Sequence, residues 1–409
     1  MTTATKTQPL TKSERRVLHD SFGRTIDYLR ISLTDRCNLR CVYCMPEEGV
    51  PALAHEDILT LEEIVTLVTM AAKDGIKHIR LTGGEPLVRK GITELIRAIK
   101  HIDGIESVAL TTNGILLPTL AKELKGAGLD RVNISLDSLD ENQYHAITRR
   151  GTLADALAGI DAALEYGFDP VKINVVVVRH LEQNLVQFAR LTMDRPLHVR
   201  FIEYMPIGKV DEGLPPAVPL TKTETEKELG ASNKSFIPWS DHDVIPATEI
   251  RQLLNDALEK EGLGKLIPLE GKNNNHSNDN NNSNVGDIPH VSETLDASFV
   301  IPSKNPLNNE APIGWGPATY YKIAGAKGTI GFISAISNHF CATCNRLRLT
   351  SDGKLRPCLF SDEEFDVKKP LRNATVYGVQ QILDEALASK PEGHHHRRGT
   401  KRSMSQMGG

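Results

Sequence analysis

Several things are missing from this chain. No apolar run reaches the ~18 residues of a membrane span. Residues 1–20 lack the apolar core of a secretory signal. Neither sign of charge dominates: 48 Lys and Arg stand against 52 Asp and Glu, a net charge of −4. These absences speak against a membrane partner and against the globally basic footprint of a nucleic-acid binder. The first twenty residues are Thr-rich, with Lys6, Lys12, Arg15 and Arg16 and no acid before Glu14. This pattern is shared by transit peptides and disordered polar tails. The expected location is soluble and intracellular, with cytoplasm and mitochondrial matrix both left open. One further absence is local. Cys37, Cys41 and Cys44 fall within eight residues, yet the next cysteine is Cys341 and the nearest histidine is His55.

That absence matters because thiolates select zinc, copper(I) or iron–sulfur clusters, and a closed structural zinc site takes four protein ligands. Three thiolates on a four-iron cluster leave one iron open to bind a reactant. The alternative is a zinc site completed by a distant ligand. The other three cysteines, Cys341, Cys344 and Cys358, form a second triplet, so all six are used in two groups. A disulfide framework is not expected in a chain of this size without a secretory signal. Two triplets argue for two metal centres. For the second, His339 is available as a fourth zinc ligand. Arg346 and Arg348 sit two apart beside its thiolates, and arginine is the preferred planar donor to phosphate. Lys172, Arg30, Arg80, Arg346 and Arg348 together would suit a triphosphate.

Length of 409 residues suits one large α/β domain plus something smaller. From Arg24 to about Pro206, apolar β-rich runs alternate with helix-period segments. The strand candidates are Tyr28–Leu33, Ile76–Leu81, Ser107–Thr111, Arg131–Leu136, Val171–Val178 and His198–Glu203. The near-continuous apolar run Ile173–Val178 suits a parallel strand buried on both faces. Thr60 and Glu63 form a capping box ahead of a helix that stops near Gly75. Ile92, Leu95, Ile96 and Ile99 make one helix face, and Leu153, Leu157, Ile160 and Leu164 another. Six βα units imply a parallel sheet with right-handed crossovers; periodicity leaves a barrel and an open doubly wound sheet both open. Beyond residue 206, a helix is expected over Thr248–Gly262 and short strands over Tyr320–Ile323 and Gly328–Ile333. The Asn-rich stretch Asn273–Asn284 reads as a disordered insertion, and His394–His396 as a solvated tract.

Arg80–Pro86 contains Gly83-Gly84-Glu85, where two glycines let backbone approach a ligand and Glu85 offers acceptors to an ammonium. Thr111–Gly114 and Asn133–Ser138 end strands with hydroxyl and amide groups, which serve either a polar ligand or ordinary strand-end capping. Lys172 lies in an apolar strand; facing inward it would need an anion, and at the strand's edge it would face solvent.

The spacing C-x-x-x-C-x-x-C, with Tyr43 before the third cysteine, resembles the signature of the radical S-adenosylmethionine superfamily. The resemblance decides the fold as α/β: a partial (β/α)6 barrel with a C-terminal extension carrying a second cluster. Chemistry in such barrels sits at the C-terminal strand ends, where each motif is expected. The resemblance narrows through T-D-R-C-N-L-R-C-V-Y-C, R-L-T-G-G-E-P, N-I-S-L-D-S, F-I-E-Y-M-P, F-C-A-T-C-N-R-L-R-L-T-S-D-G-K-L-R-P-C-L-F and the terminal Gly408-Gly409. Together these resemble the GTP 3′,8-cyclase family, also called molybdenum cofactor biosynthesis protein A, over roughly residues 20–375 plus the tail.

The family resemblance implies that Cys37, Cys41 and Cys44 hold one 4Fe-4S cluster and Cys341, Cys344 and Cys358 a second, whose open iron binds guanine. Tyr43, Gly84, Ser135 and Met205 would contact S-adenosylmethionine. Arg30, Arg80, Thr111, Lys172, Arg346, Leu347 and Arg348 would line the GTP site, and the closing Gly-Gly would reach into it. No catalytic residue is assigned beyond the clusters. The implied reaction takes a hydrogen from the ribose 3′ carbon of GTP and joins that carbon to carbon 8 of guanine, the first step of molybdenum cofactor biosynthesis. Implied partners are an electron donor protein and a downstream cyclic pyranopterin monophosphate synthase, with a homodimer left open. The expected divisions are a disordered tail (1–22), the partial barrel (23–245), the second-cluster region (246–375, with 273–312 an insertion) and a C-terminal helix with basic tail (376–409). Two rivals remain: a peptide- or sugar-modifying member of the superfamily, and a zinc protein binding RNA through its basic tail.

Overall fold

The computed structural model describes residues 16–51, 53–207, 241–269, 311–312, 316–373, 375–394 and 400–408. The Asn-rich stretch, most of 285–312, His395, His396 and Gly409 lie outside the described residues.

In chain order the strands are β1 (Tyr28–Ser32), β2 (His78–Thr82), β3 (Ser107–Thr112), β4 (Arg131–Ser135), β5 (Val171–Val177), β6 (Leu197–Glu203), β7 (Ile267–Pro268), β8 (Thr319–Lys322), β9 (Thr329–Ile333), β10 (Arg346–Leu349), β11 (Lys354–Arg356) and β12 (Phe365–Asp366). All share one sheet, ordered β12-β11-β10-β1-β2-β3-β4-β5-β6-β9-β8-β7. The strands β1 to β6 pair in parallel, and β10 and β9 extend that run, parallel to β1 and β6 respectively. Among the described residues β9 and β10 do not pair, so the barrel is partial. The joining of β9 requires Gly328: a Cβ there would meet the Leu197 carbonyl oxygen at 1.9 Å.

The helices α1 (Leu61–Lys73), α2 (Ile92–Lys100), α3 (Leu117–Gly126), α4 (Glu141–Thr148), α5 (Leu153–Glu165) and α6 (Leu185–Asp194) fill the crossovers, with two between β4 and β5. The capping box of α1 forms: Glu63 N donates to Thr60 Oγ1 at 3.1 Å, and Thr60 N donates to Glu63 Oε2 at 2.8 Å. Beyond the β6 end come α7 (Ala247–Lys260), α8 (Lys368–Arg372), α9 (Val376–Ala388) and α10 (Met404–Met407). Residues 16–22, part of the expected tail, pack onto this body: Leu18 is buried, its carbonyl accepts from Ile26 N at 2.9 Å, and Asp20 pairs with Arg24 at 2.5 Å.

Strand alternation divides two environments. Leu29, Ile31, Ile79, Leu81, Leu110, Ile134, Ile173, Phe201 and Leu347 join the apolar core shared with the helices. Their neighbours Tyr28, Arg30, Arg80, Thr111, Asn133, Lys172, Arg200 and Arg348 take the other face, inside the barrel. The sheet is therefore amphipathic in the reverse of the usual small-barrel sense, with its polar row within.

Candidate active site

The first triplet follows the C-terminal end of β1. Its loop is fixed by backbone bonds, Arg40 N to Thr148 O and Val42 N to Ile147 O, both 2.9 Å. Gly84 N donates to Thr34 O at 2.7 Å and Glu85 N donates to Arg36 O at 2.8 Å. A Cβ on Gly84 would lie 2.3 Å from Arg36 O. The Gly-Gly turn thus brings backbone against the cysteine loop. Glu85 braces the same turn. Its oxygens are already engaged, accepting from Thr112 Oγ1 at 2.7 Å, Leu87 N at 3.0 Å and Asn113 N at 2.8 Å. Burial raises its carboxyl to about 7 against these bonds. Glu85 ties the ends of β2 and β3 together.

Tyr43 donates its hydroxyl to Asp137 Oδ2, whose other oxygen accepts from Val176 N at 2.8 Å. Burial holds Asp137 up to about 6. Asn113 donates to Asn38 Oδ1 at 2.7 Å and reaches to 4.0 Å from Cys37 Sγ. The three thiols are free. Burial pushes Cys37 up to about 11 and Cys44 up to about 12, and the neighbouring sulfurs repel one another as thiolates. Leu39 N donates to Cys37 Sγ at 3.3 Å. Ser135 closes β4 and Met205 follows β6, both half-buried at the same end of the barrel.

Below that mouth the interior is cationic. Register sets Arg30 beside both Arg80 and Arg348, and Lys172 beside Asn133 and His198. Arg80 donates to the Tyr28 hydroxyl and to Thr111 Oγ1 at 3.2 Å. Arg200 donates through Nε to Asn174 Oδ1 at 2.9 Å. Lys172 is buried and faces inward, over the Tyr320 ring at 5.7 Å. Burial, then Arg200, Arg80 and Arg131, depress Lys172 to about 6. Burial and then Arg346 lower Arg348 to about 10; burial and then Arg348 lower Arg30. Among the described residues Arg346 Nε is buried without an acceptor. Cations packed this way strain one another unless a polyanion lies among them.

The second triplet is at the other end. Asn345 O accepts from Tyr28 N at 3.2 Å, the first residue of β1, and β11 runs antiparallel so that Cys358 returns to the same edge. The expectation that every motif sits at the C-terminal strand ends is corrected here. The two triplets bracket the length of β1, roughly 16 Å for five residues at about 3.3 Å each. Cys344 is lowered to about 7 by Arg346 and Lys390 in spite of burial. His394 is buried rather than solvated, with Nε2 3.2 Å from Ala335 O. The described tail residues 400–408 reach the interior: Gly408 O accepts from Arg30 Nη2 and Arg348 Nη1, both at 3.1 Å.

Residues 31–192 match the Radical SAM superfamily model, and residues 266–396 match the Molybdenum Cofactor Synthesis C model. A curated GTP 3′,8-cyclase of Pelotomaculum thermopropionicum is 45% identical over 396 residues, spanning 96% of this chain and 100% of the relative. The GTP 3′,8-cyclases of Moorella thermoacetica and Heliobacterium modesticaldum are each 43% identical over 396 residues, covering 96% and 95% of this chain and 100% and 99% of theirs.

The chain belongs to the GTP 3′,8-cyclase family. For a GTP 3′,8-cyclase, the expected GTP-site residues fall into two sets. Arg30, Arg80, Thr111, Lys172, Arg346 and Arg348 share the inner face. Leu347 does not: its side chain is fully buried in the helix-facing core. Motif reading missed Tyr28, Asn174, Arg200 and Tyr320, which line the same interior. For Tyr28, Asn174 and Arg200 the signal was present as polar residues at every second position of otherwise apolar strands, whereas the T-Y-Y-K strand of Tyr320 carries no such alternation.

Proposed function

We propose that this chain converts GTP to (8S)-3′,8-cyclo-7,8-dihydroguanosine 5′-triphosphate, the first step of molybdenum cofactor biosynthesis. The observation that carries the proposal is the mutually repelling cation set inside the barrel, flanked by a free cysteine triplet at each end. A triphosphate relieves that repulsion, and arginine forks suit its oxygens.

The donor sets fit two 4Fe-4S clusters. Each triplet places three soft ligands close enough to repel as thiolates, and N–H groups of Leu39 and Lys390 point at sulfur. Cys37, Cys41 and Cys44 would hold the first cluster, and Cys341, Cys344 and Cys358 the second. Bound together with S-adenosylmethionine, the first cluster supplies one-electron reductive cleavage of that cofactor. Tyr43, Gly84, Ser135 and Met205 surround the mouth where S-adenosylmethionine would sit, and Asp137 fixes the Tyr43 ring. Arg30, Arg80, Lys172, Arg346 and Arg348 would hold the triphosphate, with Thr111 and the Leu347 main chain beside them. Their contribution is orientation: ribose must stay within reach of the first site while the base is held from the other end. The partners we assign are GTP, an electron donor protein and a downstream cyclic pyranopterin monophosphate synthase. Among the described residues no helix is long and apolar enough to cross a membrane. We keep the division into a barrel over 23–245 and a second-cluster region over 246–375, the latter lending β9 and β10 to the barrel's edges.

The test is an anaerobic assay of the reconstituted protein with dithionite, S-adenosylmethionine and GTP, followed by mass spectrometry. Joint appearance of 5′-deoxyadenosine and an isomer of GTP is the expected result. If 5′-deoxyadenosine forms while GTP stays untouched, the substrate is wrong.

One observation favours a second reading of the second triplet. Ligand atoms of His339, Cys341 and His394 all lie within 4.8 Å of one another, a His2Cys set that zinc accepts. Metal analysis separates the two: zinc without visible absorption at that triplet would replace the cluster.

A further inference from the structure

The buried ammonium of Lys390 lies beside the second triplet and outside the set of cations that faces the triphosphate. Lys390 follows α9 and is 3% exposed. Lysine is almost never buried to this degree unless it is paired. Its Nζ lies 2.9 Å from Arg346 O, 2.7 Å from Pro357 O and 3.6 Å from Cys344 Sγ. An ammonium has three N–H donors and no acceptor, so these three acceptors satisfy it in the charged form. Two of them are neutral carbonyls, which orient the group without balancing its charge. They belong to the two segments that carry ligands: Arg346 is two residues past Cys344, and Pro357 immediately precedes Cys358.

The neighbouring cation is accounted for separately. Arg24 pairs with Asp20 at 2.5 Å and donates to the carbonyls of Cys341 at 2.7 Å, Glu392 at 2.9 Å and Pro391 at 2.6 Å. Arg24 therefore brings its own carboxylate, while Lys390 has sulfur.

We propose that Lys390 is a positioning residue for the second metal centre: its ammonium joins the Cys344 and Cys358 segments, donates to the Cys344 sulfur, and balances the negative charge of the cluster held there. The inference rests on the reading of Cys341, Cys344 and Cys358 as cluster ligands. Reduction adds a negative charge to a cluster, and both a nearby cation and N–H bonds to its sulfurs favour the reduced form. Removing the ammonium should make the second cluster harder to reduce.

The experiment uses the full-length chain with Cys37, Cys41 and Cys44 replaced by Ser, so that only the second triplet is loaded. Iron and sulfide are counted, and the midpoint potential is measured by an EPR-monitored titration for this parent, for K390Q and for K390R. Expected are one 4Fe-4S cluster in the parent, a more negative midpoint in K390Q, and a smaller displacement in K390R, which keeps the charge. A cluster in K390Q with the parent's potential overturns the inference. If K390Q does not fold, the parent labelled with 15N-lysine decides. A hyperfine coupling from lysine nitrogen to the reduced cluster supports the contact, and its absence overturns it. If the parent takes up no iron at all, the cluster reading itself has failed and the inference falls with it.

Discussion

At the scale of the residue, Lys172 shows what the interior is built to receive. Held at about 6 by burial and by Arg200, Arg80 and Arg131, it is mostly neutral at pH 7.5. A phosphate beside it would restore its proton, so GTP binding should take up a proton near pH 7.5, and the uptake should fade as pH falls below about 6. Calorimetry in two buffers of different ionisation enthalpy measures this. K172M should abolish that uptake and weaken GTP binding by about tenfold or more, about 1.4 kcal/mol per decade. The same residue costs stability. Its folded value lies below its ordinary 10.5, so between the two the unfolded chain binds more protons and stability rises with pH. K172M should flatten that slope and raise the melting temperature by a few degrees at pH 7. An unchanged melting profile and unchanged GTP affinity would show that Lys172 faces neither repulsion nor phosphate.

At the scale of the element, the turn after β2 decides whether the first triplet is held in place. Gly84 lies against Arg36, the residue before Cys37, with no room for a side chain: an added Cβ would be 2.3 Å from a carbonyl oxygen. G84A should therefore displace the cysteine loop, and reconstituted protein should lose the iron of one cluster while retaining the other. Glu85 works beside it through its three buried acceptor contacts. E85A leaves those donors unmet, at about 1–3 kcal/mol each for a buried group, and should lower the melting temperature. E85Q can still accept at one oxygen and should lie between the two. Equal iron content in all three variants would mean the turn is incidental to the loop. Much of this region could be read in the sequence, because strands β1 to β6 announce themselves as apolar runs and α1 by its capping box. The location of the second triplet could not. It depends on β10 pairing with β1 across more than 300 residues of chain, and no local pattern encodes that pairing. His394 was misread for a similar reason: its burial comes from Phe360 and His339, with ring centroids each 4.7 Å away, not from its polar neighbours in sequence.

At the scale of the whole molecule, the C-terminal segment links the two ends of the barrel. It leaves the second triplet at Lys390, and the backbone N–H of Ser405 donates to the first triplet at Cys44. Among the described residues its last carbonyl, Gly408 O, lies between Arg30 and Arg348. The tail's grip lies at Arg402, which donates to Asp352 at 3.1 and 2.8 Å and to Glu364 at 2.6 and 2.8 Å. All three side chains are at least three-quarters buried, so the fork is screened less than a surface pair. Lys401 N adds a bond to Asp362 Oδ1 at 2.9 Å. The barrel does not depend on these contacts, since its strands pair without them. R402A should therefore open the tail and leave the body folded. Amide exchange over residues 400–408 should accelerate by about 10- to 100-fold, corresponding to roughly 1.4–2.8 kcal/mol of local opening, with exchange in β1 to β6 unchanged. The consequence for GTP follows from what Gly408 touches. Its carbonyl is a neutral acceptor on two arginines that would otherwise face phosphate. Opening the tail should leave the dissociation constant for GTP within about threefold, while turnover falls by about tenfold as the substrate loses its fixed orientation. Equal losses in affinity and turnover would instead mean that the tail binds GTP directly, and an unchanged exchange rate at residues 400–408 would mean that Arg402 is not what holds it.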